Sequence, residues 1–371
     1  MSQERLQVEF AVPHRYEVCF LRDATGEGKA WFDDLHREHG PFPKVIVLLD
    51  GGLAKARPDL VESWELMLEG LPTEIAGVHV FSGGEDIKNN REELEEMLAL
   101  LETWGICRHS MIVAVGGGAF LDACGYAASI THRGVRMVRF PSTVLAQNDA
   151  GIGVKNGVNA FGKKNFWGVF QSPLAVFNDV TLLESLSERD RVAGLAEAIK
   201  VALLKDADFF DFLASCSKEQ LISDTPQRHR MLVDCAHLHL KHIAGSGDPF
   251  EKGNSRPLDF GHWAAHKLEA LSQHRLRHGE AVAIGLGIDI RYGMEMGWLP
   301  EEEGERIIET IAQLGLPLSD KLVTDELLEG LEEFREHLGG KLCIASIRRV
   351  GEPFDLFEVD DEVMKRVLSL S

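Results

Sequence analysis

The residues in this sequence best suited to catalysis are one glutamate, one lysine and three histidines on predicted helices. Glu197 precedes Lys200 by three positions and His262 precedes His266 by four, so each pair can share one helical face. His278 opens a further predicted helix. Together, Glu197, His262 and His278 would form a Glu/His/His metal site. Three protein ligands leave a position open for a substrate, as catalytic zinc sites do.

Each of these residues also has a simpler interpretation. Glu197 and Lys200 could be a surface ion pair, because oppositely charged residues three apart on a helix often pair. The two histidines on one face could be an acid/base pair, and any single histidine could be structural. The metal interpretation therefore depends on the family resemblance that the surrounding motifs carry.

A glycine-rich stretch from Asn148 to Asn165 carries side chains that suit a phosphate. Lys155, Lys163 and Lys164 lie between glycines, in a sequence too polar for a core and too glycine-rich for a solvated helix. Lysine ammonium groups and free backbone N–H groups are typical phosphate ligands. A plain surface loop is the alternative.

A second glycine motif suits a dinucleotide. The triplet Gly116–Gly118 follows a predicted strand and opens a helix, where backbone N–H groups can approach a pyrophosphate. Asp50, at the end of an earlier strand, could bind a ribose hydroxyl. A structural turn and a strand-end Asx turn are the alternative interpretations.

Strands and helices alternate in the first half of the chain. Apolar runs predict strands at Lys44–Asp50, Val78–Phe81, Met111–Val115 and Met137–Phe140, with helices at Asp59–Glu69, Asn89–Thr103 and Ala119–Ser129. The second half predicts helices over roughly 187–204, 227–246, 261–272, 279–296, 301–314 and 325–338, and an extended segment at Lys341–Ile347. The expected fold is α/β + α: a Rossmann-like parallel-sheet domain over residues 1–184 and a mainly helical domain over 185–371.

Composition excludes several classes of protein. The 371 residues are 44% hydrophobic and 26% charged, as in an ordinary globular protein, and the net charge is −20. Such a charge disfavours a nucleic acid or an anionic membrane as partner, although it permits a small anionic substrate. No signal peptide or spanning helix is evident, and the six scattered cysteines suggest a reduced, cytoplasmic setting.

These segments resemble the 3-dehydroquinate synthase family, the NAD-dependent sugar phosphate cyclases. The resemblance is nearly chain-long and strongest over residues 80–295. The order and spacing of the motifs are specific, although no single motif is. They are Gly84–Lys88, Gly116–Asp122, His132–Gly134, Pro141–Thr143, Asp149–Lys155, Gly162–Asn165, Gly194–Lys200, Asp259–His262 with His266, and His278–Val282.

The resemblance implies four groups of functional residues. The metal ligands, for Zn²⁺ or alternatively Co²⁺, would be Glu197, His262 and His278. The NAD⁺ site would comprise Asp50, Glu85, Lys88, Gly117, Gly118, Asp122, Ser142 and Thr143. The substrate phosphate would contact Lys155, Lys164, Asn165 and, from the neighbouring subunit of a homodimer, Arg133. The catalytic residues around the reacting carbons would be Asp149, Lys200, Lys241 and His266.

The reaction implied by the resemblance is that of a carbon–oxygen lyase which regenerates its NAD⁺. An alcohol of a sugar phosphate is oxidised while zinc polarises its oxygen, and phosphate then leaves by β-elimination. The ketone is reduced again, the ring opens, and an intramolecular aldol step closes a carbocycle. His266 is the candidate for proton handling near the metal.

The departures from dehydroquinate synthase concern the substrate carboxylate. The family's arginine seven residues before the first zinc histidine aligns with Ser255, next to Arg256, and its asparagine three residues before that histidine is Asp259 here. A late family lysine aligns near His337. Because Asp259 would repel a carboxylate, we expect a neutral ketose phosphate, such as a heptulose 7-phosphate, and a cyclitol product such as a valiolone isomer.

The mixture of motifs also leaves other functions open. The pattern Asp259–His262 is similar to that of 2-epi-5-epi-valiolone synthases, while Lys241 and His266 are retained as in dehydroquinate synthase. The whole looks most like the cyclase of the bacterial Ebo clusters. The alternatives are 3-dehydroquinate synthase itself, a metal-dependent polyol dehydrogenase of the same fold, and a non-catalytic ligand-binding relative.

Overall fold

The computed structural model describes residues 5–26, 29–246, 248–250, 258–273, 275–337 and 339–370. A six-stranded parallel sheet lies in the first half of the chain, in the order β1-β8-β5-β4-β2-β3. Its strands are β1 (Glu17–Leu21), β2 (Lys44–Asp50), β3 (Glu74–Phe81), β4 (Met111–Gly116), β5 (Arg136–Pro141) and β8 (Ala175–Asp179). The intervening strands β6 (Lys155–Ala160) and β7 (Lys163–Phe170) form a separate antiparallel ribbon.

The central strands β2 and β4 are buried on both faces of the sheet, which explains their continuous apolar sequences. Val47 packs with Trp31 and Trp64 on one face, whereas Leu48 packs with Met97 on the other. The helices of this half are α1 (Ala30–His39), α2 (Gly51–Ala56), α3 (Leu60–Glu69), α4 (Asp86–Asn89), α5 (Arg91–Thr103) and α6 (Gly118–Ile130). The expected Rossmann-like parallel sheet is confirmed.

The strand order reverses between β2 and β4. From β2 the chain moves to β3 at one edge, and it then returns to β4 on the other side of β2 before continuing to β5. In parallel sheets, ligands bind at such a reversal, outside the carboxyl ends of the strands. Asp50 and Gly116 end the two strands that flank it.

The antiparallel ribbon β6–β7 lies where the glycine-rich sequence left a plain surface loop as the alternative. Arg139, 1% exposed, donates hydrogen bonds to the carbonyl oxygens of Gly151 and Gly153 and, over 2.6 Å, to Oδ1 of Asn156. These buried bonds fix the start of β6 against the sheet. Because this support comes from a residue on β5, local composition could not reveal the ribbon.

Helices dominate the second half, as the sequence predicted. They are α7 (Glu188–Ala193), α8 (Leu195–Lys205), α9 (Ala207–Ser215), α10 (Lys218–Ile222), α11 (Pro226–Gly245), α12 (His262–Leu271), α13 (His278–Glu295), α14 (Glu301–Gln313), α15 (Glu329–His337) and α16 (Asp361–Leu370). Single-turn helices lie at Thr131–Arg133, Ala146–Ala150, Val180–Ser185 and Asp325–Leu328. The extended segment predicted near residue 341 is part of a hairpin of β9 (Ile344–Arg349) and β10 (Glu352–Leu356). The boundary at residues 184/185 stays a prediction.

The helix predicted over residues 187–204 is divided at Gly194 into α7 and α8. A Cβ atom at Gly194 would lie 2.4 Å from Cβ of Val144, and one at Gly279 would lie 1.8 Å from the carbonyl oxygen of Ala193. The turn between α7 and α8 therefore touches both the sheet half and the start of α13. Within the described ranges, each helix is too short or too polar to cross a lipid bilayer.

Candidate active site

Three helices bring the predicted metal ligands together. Glu197 lies on α8, His262 is the first residue of α12, and His278 is the first residue of α13. One ligand atom from each lies within 4.8 Å of the others, so that the three side chains could hold one metal ion. Glu197 and His262 are buried and His278 is half-buried. Two imidazoles and a carboxylate are a donor set that Zn²⁺ accepts.

Glu197 presents a free carboxylate oxygen inside the protein. Its side chain is fully buried, its Oε1 forms an ion pair with Nζ of Lys200, and its Oε2 has no hydrogen-bond partner among the described residues. Burial, together with the nearby carboxylate of Asp149, raises the pKa of Glu197 to about 7, even though Lys200 opposes the shift. A buried oxygen without a partner is costly, and a cation bound at this point would satisfy it.

His262 is oriented by the backbone at the start of α12. Its Nδ1 lies 3.1 Å from the carbonyl oxygen of Phe260, which leaves Nε2 available as a ligand. Burial lowers the pKa of His262 well below its usual value, and the ammonium of Lys200 lowers it further. Because metals bind neutral imidazole, this environment favours the ligating form.

Asp289 on α13 holds the turn that precedes His262. Its Oδ2 accepts a hydrogen bond of 2.9 Å from the amide of Gly261, and its Oδ1 accepts one of 2.8 Å from Nε1 of Trp263. Gly261 has a φ of +74°, a left-handed conformation that favours glycine. Its missing Cβ also allows the backbone of Leu286 to approach closely. These contacts fix the point at which α12 begins.

His278 is linked through Glu269 to the ribbon. Nδ1 of His278 lies 3.1 Å from Oε2 of Glu269, and Oε1 of Glu269 accepts a hydrogen bond of 3.0 Å from Nζ of Lys164. Burial alone would lower the pKa of His278, but the Glu269 carboxylate outweighs it, so the pKa is raised. Burial would likewise raise the pKa of Glu269, which His278 and Lys164 hold well below its usual range. Glu269 therefore connects Lys164, a predicted phosphate ligand, to His278, a predicted metal ligand.

Asp149 lies beside this cluster. Its Oδ1 is 3.1 Å from Nδ1 of His239, a residue of α11 that is 9% exposed. Burial would raise the pKa of Asp149, but His239, Lys200 and Lys155 together lower it. The two predicted catalytic residues Asp149 and Lys200 and the predicted phosphate ligand Lys155 therefore share one electrostatic environment.

The remaining predicted substrate residues lie further from these contacts. Lys241 is exposed on α11, and among the described residues its ammonium forms no ion pair. His266 is exposed, although its ring centroid lies 5.5 Å from that of His262. Asn165 is exposed on β7 and Arg133 is exposed beside the sheet. Ser255 and Arg256, and the side chain of His337, lie outside the described residues.

The predicted NAD⁺ residues gather at the carboxyl ends of the strands. Nζ of Lys88 lies 2.8 Å from Oδ2 of Asp122, and Lys88 is buried. Oδ1 of Asp50 accepts hydrogen bonds of 2.8 and 3.2 Å from the amides of Gly52 and Leu53. Asp50 therefore caps α2, as the Asx-turn alternative predicted, and contact with a ribose stays a prediction for its other oxygen.

The glycines and hydroxyls of this crevice lie close together. Gly117 is the N-cap of α6, and a Cβ there would lie 3.3 Å from Cγ2 of Thr143. A Cβ at Gly118 would lie 3.0 Å from that of Ala150, and Ser142 donates its amide hydrogen to the carbonyl oxygen of Gly116. Glu85, whose Oε1 accepts a hydrogen bond from Asn159 over 2.9 Å, lies at the ribbon side of the crevice. A partly exposed helix start with little side chain suits a pyrophosphate.

Sequence reasoning missed three residues of this site: His239, Glu269 and Asp289. Glu269 had a detectable signal, because it lies seven residues after His262 and so on the same helical face. His239 had none, since α11 carries several histidines and only the fold selects the one that faces Asp149. Asp289 lies in an apolar helix, where a single carboxylate indicates a buried partner but does not identify it.

Two family models cover most of the chain. Residues 78–193 match the model described as 3-dehydroquinate synthase N-terminal, and residues 194–335 match the model described as 3-dehydroquinate synthase C-terminal. The chain belongs to the 3-dehydroquinate synthase family. Membership confirms the resemblance that the sequence motifs carried.

Curated members of the 3-dehydroquinate synthase family cover most of the chain. The 3-dehydroquinate synthase of Solibacter usitatus is 35% identical over 287 residues, which are 77% of this chain and 79% of that protein. The 3-dehydroquinate synthase of Cereibacter sphaeroides is 35% identical over 269 residues, 70% of this chain and 72% of that protein.

Solved structures of sugar phosphate cyclases share the fold. ValA, the 2-epi-5-epi-valiolone synthase of Streptomyces hygroscopicus, was solved with NAD⁺ and Zn²⁺ bound. It has a TM-score of 0.89 and 26% identity, with 98% of this chain and 99% of that chain covered. A 2-deoxy-scyllo-inosose synthase has a TM-score of 0.80 at 23% identity, with 95% of each chain covered, which shows the fold alone.

Proposed function

We propose that this member of the 3-dehydroquinate synthase family is an NAD⁺- and Zn²⁺-dependent cyclase, a carbon–oxygen lyase. Its substrate would be a neutral ketose phosphate, such as a heptulose 7-phosphate, and its product a carbocyclic cyclitol formed with loss of phosphate. Co²⁺ could replace Zn²⁺ at the same ligands. The observation that carries the proposal is the chain of contacts Lys164–Glu269–His278, which joins a predicted phosphate ligand to the predicted metal ligands.

The chain supplies the parts that this chemistry needs. Glu197, His262 and His278 would hold the metal, which when bound would polarise a substrate oxygen, while NAD⁺ in the crevice would exchange a hydride with the neighbouring carbon. Lys155 and Lys164 would hold the phosphate beside them and so orient the leaving group. A polyol dehydrogenase has no use for such a phosphate site, which favours a cyclase.

Asp149 and Lys200 would handle protons at the reacting carbons. The pKa of Asp149 is lowered despite its burial, so its carboxylate is ionised and can accept a hydrogen bond from a substrate hydroxyl. Burial would lower the pKa of Lys200, but the carboxylates of Glu197 and Asp149 raise it, so the ammonium remains charged. Lys241 and His266 would act from the exposed side, since both can reach solvent.

Asp259 supports a neutral substrate. It lies three residues before His262, and its carboxylate is one of the charges that raise the pKa of Lys200. The Oδ2 atom of Asp259 is buried. A substrate hydroxyl could donate a hydrogen bond to that oxygen, whereas a substrate carboxylate would be repelled.

We propose a cytoplasmic homodimer without nucleic-acid or membrane partners. None of the six cysteines, all of which the structure describes, forms a disulfide. Arg133 is exposed and has φ of +64°, so its backbone is held in an uncommon conformation at the surface. Exposed apolar side chains lie on the N-terminal segment and on the ribbon, and a second copy could cover them: Leu6, Val8, Phe10, Val12, Phe161, Phe166 and Phe170.

3-Dehydroquinate synthase remains the second candidate, because relatives with that name reach 35% identity. Both candidates predict release of inorganic phosphate without net formation of NADH. The test is therefore to incubate the Zn²⁺- and NAD⁺-loaded protein with ketose phosphates and to follow phosphate and NADH absorbance together. Stoichiometric NADH would indicate a dehydrogenase, and the absence of phosphate release from every C7 sugar phosphate would contradict a cyclase.

A further inference from the structure

Glu269 contacts two residues with different proposed roles. Its Oε2 lies 3.1 Å from Nδ1 of the metal ligand His278, and its Oε1 lies 3.0 Å from Nζ of the phosphate ligand Lys164. The side chain of Glu269 is 6% exposed. A buried carboxylate whose two oxygens each have a charged or polar partner has little freedom to move.

The contact with His278 determines which ring nitrogen faces the metal. When Nδ1–H is donated to a carboxylate, the lone pair of Nε2 is free and the ring cannot turn without losing that hydrogen bond. Metal-binding histidines usually have such a partner, and its loss typically weakens metal binding 10- to 100-fold. Glu269 therefore favours metal binding.

The contact between Glu269 and Lys164 weakens phosphate binding, whereas the contact with His278 strengthens metal binding. Lys164 is the more exposed partner, 36% against 6%, and it extends from β7 across to α12. A phosphate must compete with Glu269 for the ammonium, and the carboxylate also repels a dianion nearby. Glu269 therefore holds Lys164 in place at the expense of phosphate affinity.

We propose that Glu269 is a positioning residue that strengthens metal binding through His278 and restrains Lys164 from phosphate until substrate arrives. The proposal rests on the proposed function, because it takes Glu197, His262 and His278 as metal ligands. It assigns to one carboxylate two effects of opposite sign, which a purely structural role would not produce.

The test uses Glu269→Gln in the full-length, NAD⁺-loaded protein. The amide has the shape of the carboxylate but no charge. We expect the dissociation constant for Co²⁺ to rise at least about 10-fold, with a changed visible Co²⁺ spectrum. At saturating Co²⁺, we expect the dissociation constant for inorganic phosphate to fall about threefold, as for the loss of a partly exposed ion pair.

Two further variants complete the design. The control, Glu333→Gln on α15, removes an ion pair of 2.8 Å with Lys267, which lies on α12 like Glu269. This variant should change neither the dissociation constant for Co²⁺ nor that for phosphate. Lys164→Gln should weaken phosphate binding and leave Co²⁺ affinity unchanged. In the Lys164→Gln background, Glu269→Gln should no longer tighten phosphate binding, because the competing ion pair is already gone.

The outcomes separate this inference from the proposed function. If Glu269→Gln binds Co²⁺ as the unmodified protein does, or if it weakens Co²⁺ and phosphate together, the inference is overturned while the metal site stands. If the unmodified protein binds no Co²⁺, or if Glu197→Ala does not reduce binding, the proposed metal site itself fails.

Discussion

Oδ1 of Asp149 lies 3.1 Å from Nδ1 of His239, and this pair joins the end of the sheet region to helix α11. Asp149 lies within the helical segment Ala146–Ala150 after β5, whereas His239 lies in the second half of the 20-residue helix α11. His239 is the largest of the influences that lower the pKa of Asp149 against its burial. The carboxylate is thereby kept ionised beside the candidate metal ligands.

We expect His239→Gln to reduce kcat by about 10- to 100-fold with little change in KM, because Asp149 keeps its place but loses its charged partner. Without His239, burial should raise the pKa of Asp149, so the acid limb of the pH–rate profile should move to higher pH. His237→Gln alters an exposed histidine on the same helix and is the matched control. An unchanged acid limb in His239→Gln would refute the assignment.

Glu197→Gln should abolish stoichiometric metal binding, because the amide cannot supply the anionic oxygen that the cluster needs. Zinc content measured by elemental analysis should fall from about one ion per chain to near zero. The control is Glu188→Gln on α7, the helix before that of Glu197. It removes an exposed ion pair with Lys218, and the protein should keep its zinc. Normal zinc in Glu197→Gln would disprove the ligand set.

Arg133 offers a test of a shared active site. If Arg133 completes the site of the neighbouring subunit, Arg133→Ala and Glu197→Ala should each be inactive alone. Coexpression of the two chains should restore about a quarter of normal activity, because half the dimers are mixed and each contains one complete site. Sedimentation confirms the dimer in each sample. Two inactive variants that remain inactive when coexpressed would place Arg133 outside the neighbouring site.

The buried carboxyl group of Asp289 should cause the free energy of unfolding to fall as the pH rises from about 4 to about 7. Burial raises its pKa from the usual 3.8 to about 7, although the donors Trp263 and Gly261 partly oppose the shift. The folded protein therefore binds a proton that the unfolded chain releases, and the free energy of unfolding loses at most about 4 kcal/mol between about pH 4 and about pH 7. Asp289→Asn should be less stable by about 1–3 kcal/mol at acid pH and should lack this slope. Denaturant titrations across that range would contradict the prediction if both proteins showed the same slope.

The sequence predicted the elements whose signals are local. The buried runs of β2 and β4 and the amphipathic helix α5 follow directly from apolar periodicity. The Glu/His/His cluster follows from the family resemblance that the motifs carry. Gly194, which divides the predicted long helix, has a role that only the neighbouring Val144 explains. Its sequence context gives no sign of that contact.

The residues missed in the site share one property, which is that they act through tertiary contacts. Glu269 joins β7 to α13, His239 reaches Asp149 from another helix, and Asp289 of α13 holds the turn before α12. Each contact links different elements of the fold. Local propensity carries no information about such pairs, although the spacing of Glu269 from His262 was a signal that would have placed it on the correct helical face.

The proposed reaction is the cyclisation of a neutral ketose phosphate with loss of phosphate. The most direct measurement compares phosphate release from a neutral heptulose 7-phosphate and from 3-deoxy-arabino-heptulosonate 7-phosphate, using the Zn²⁺- and NAD⁺-loaded protein and its Asp259→Asn variant. We predict that the neutral substrate has the higher kcat/KM. Asp259→Asn should raise kcat/KM for the carboxylated substrate about 10-fold, as expected when one like-charge repulsion is removed. Faster turnover of the carboxylated substrate by the unmodified protein would contradict the claim and identify a 3-dehydroquinate synthase.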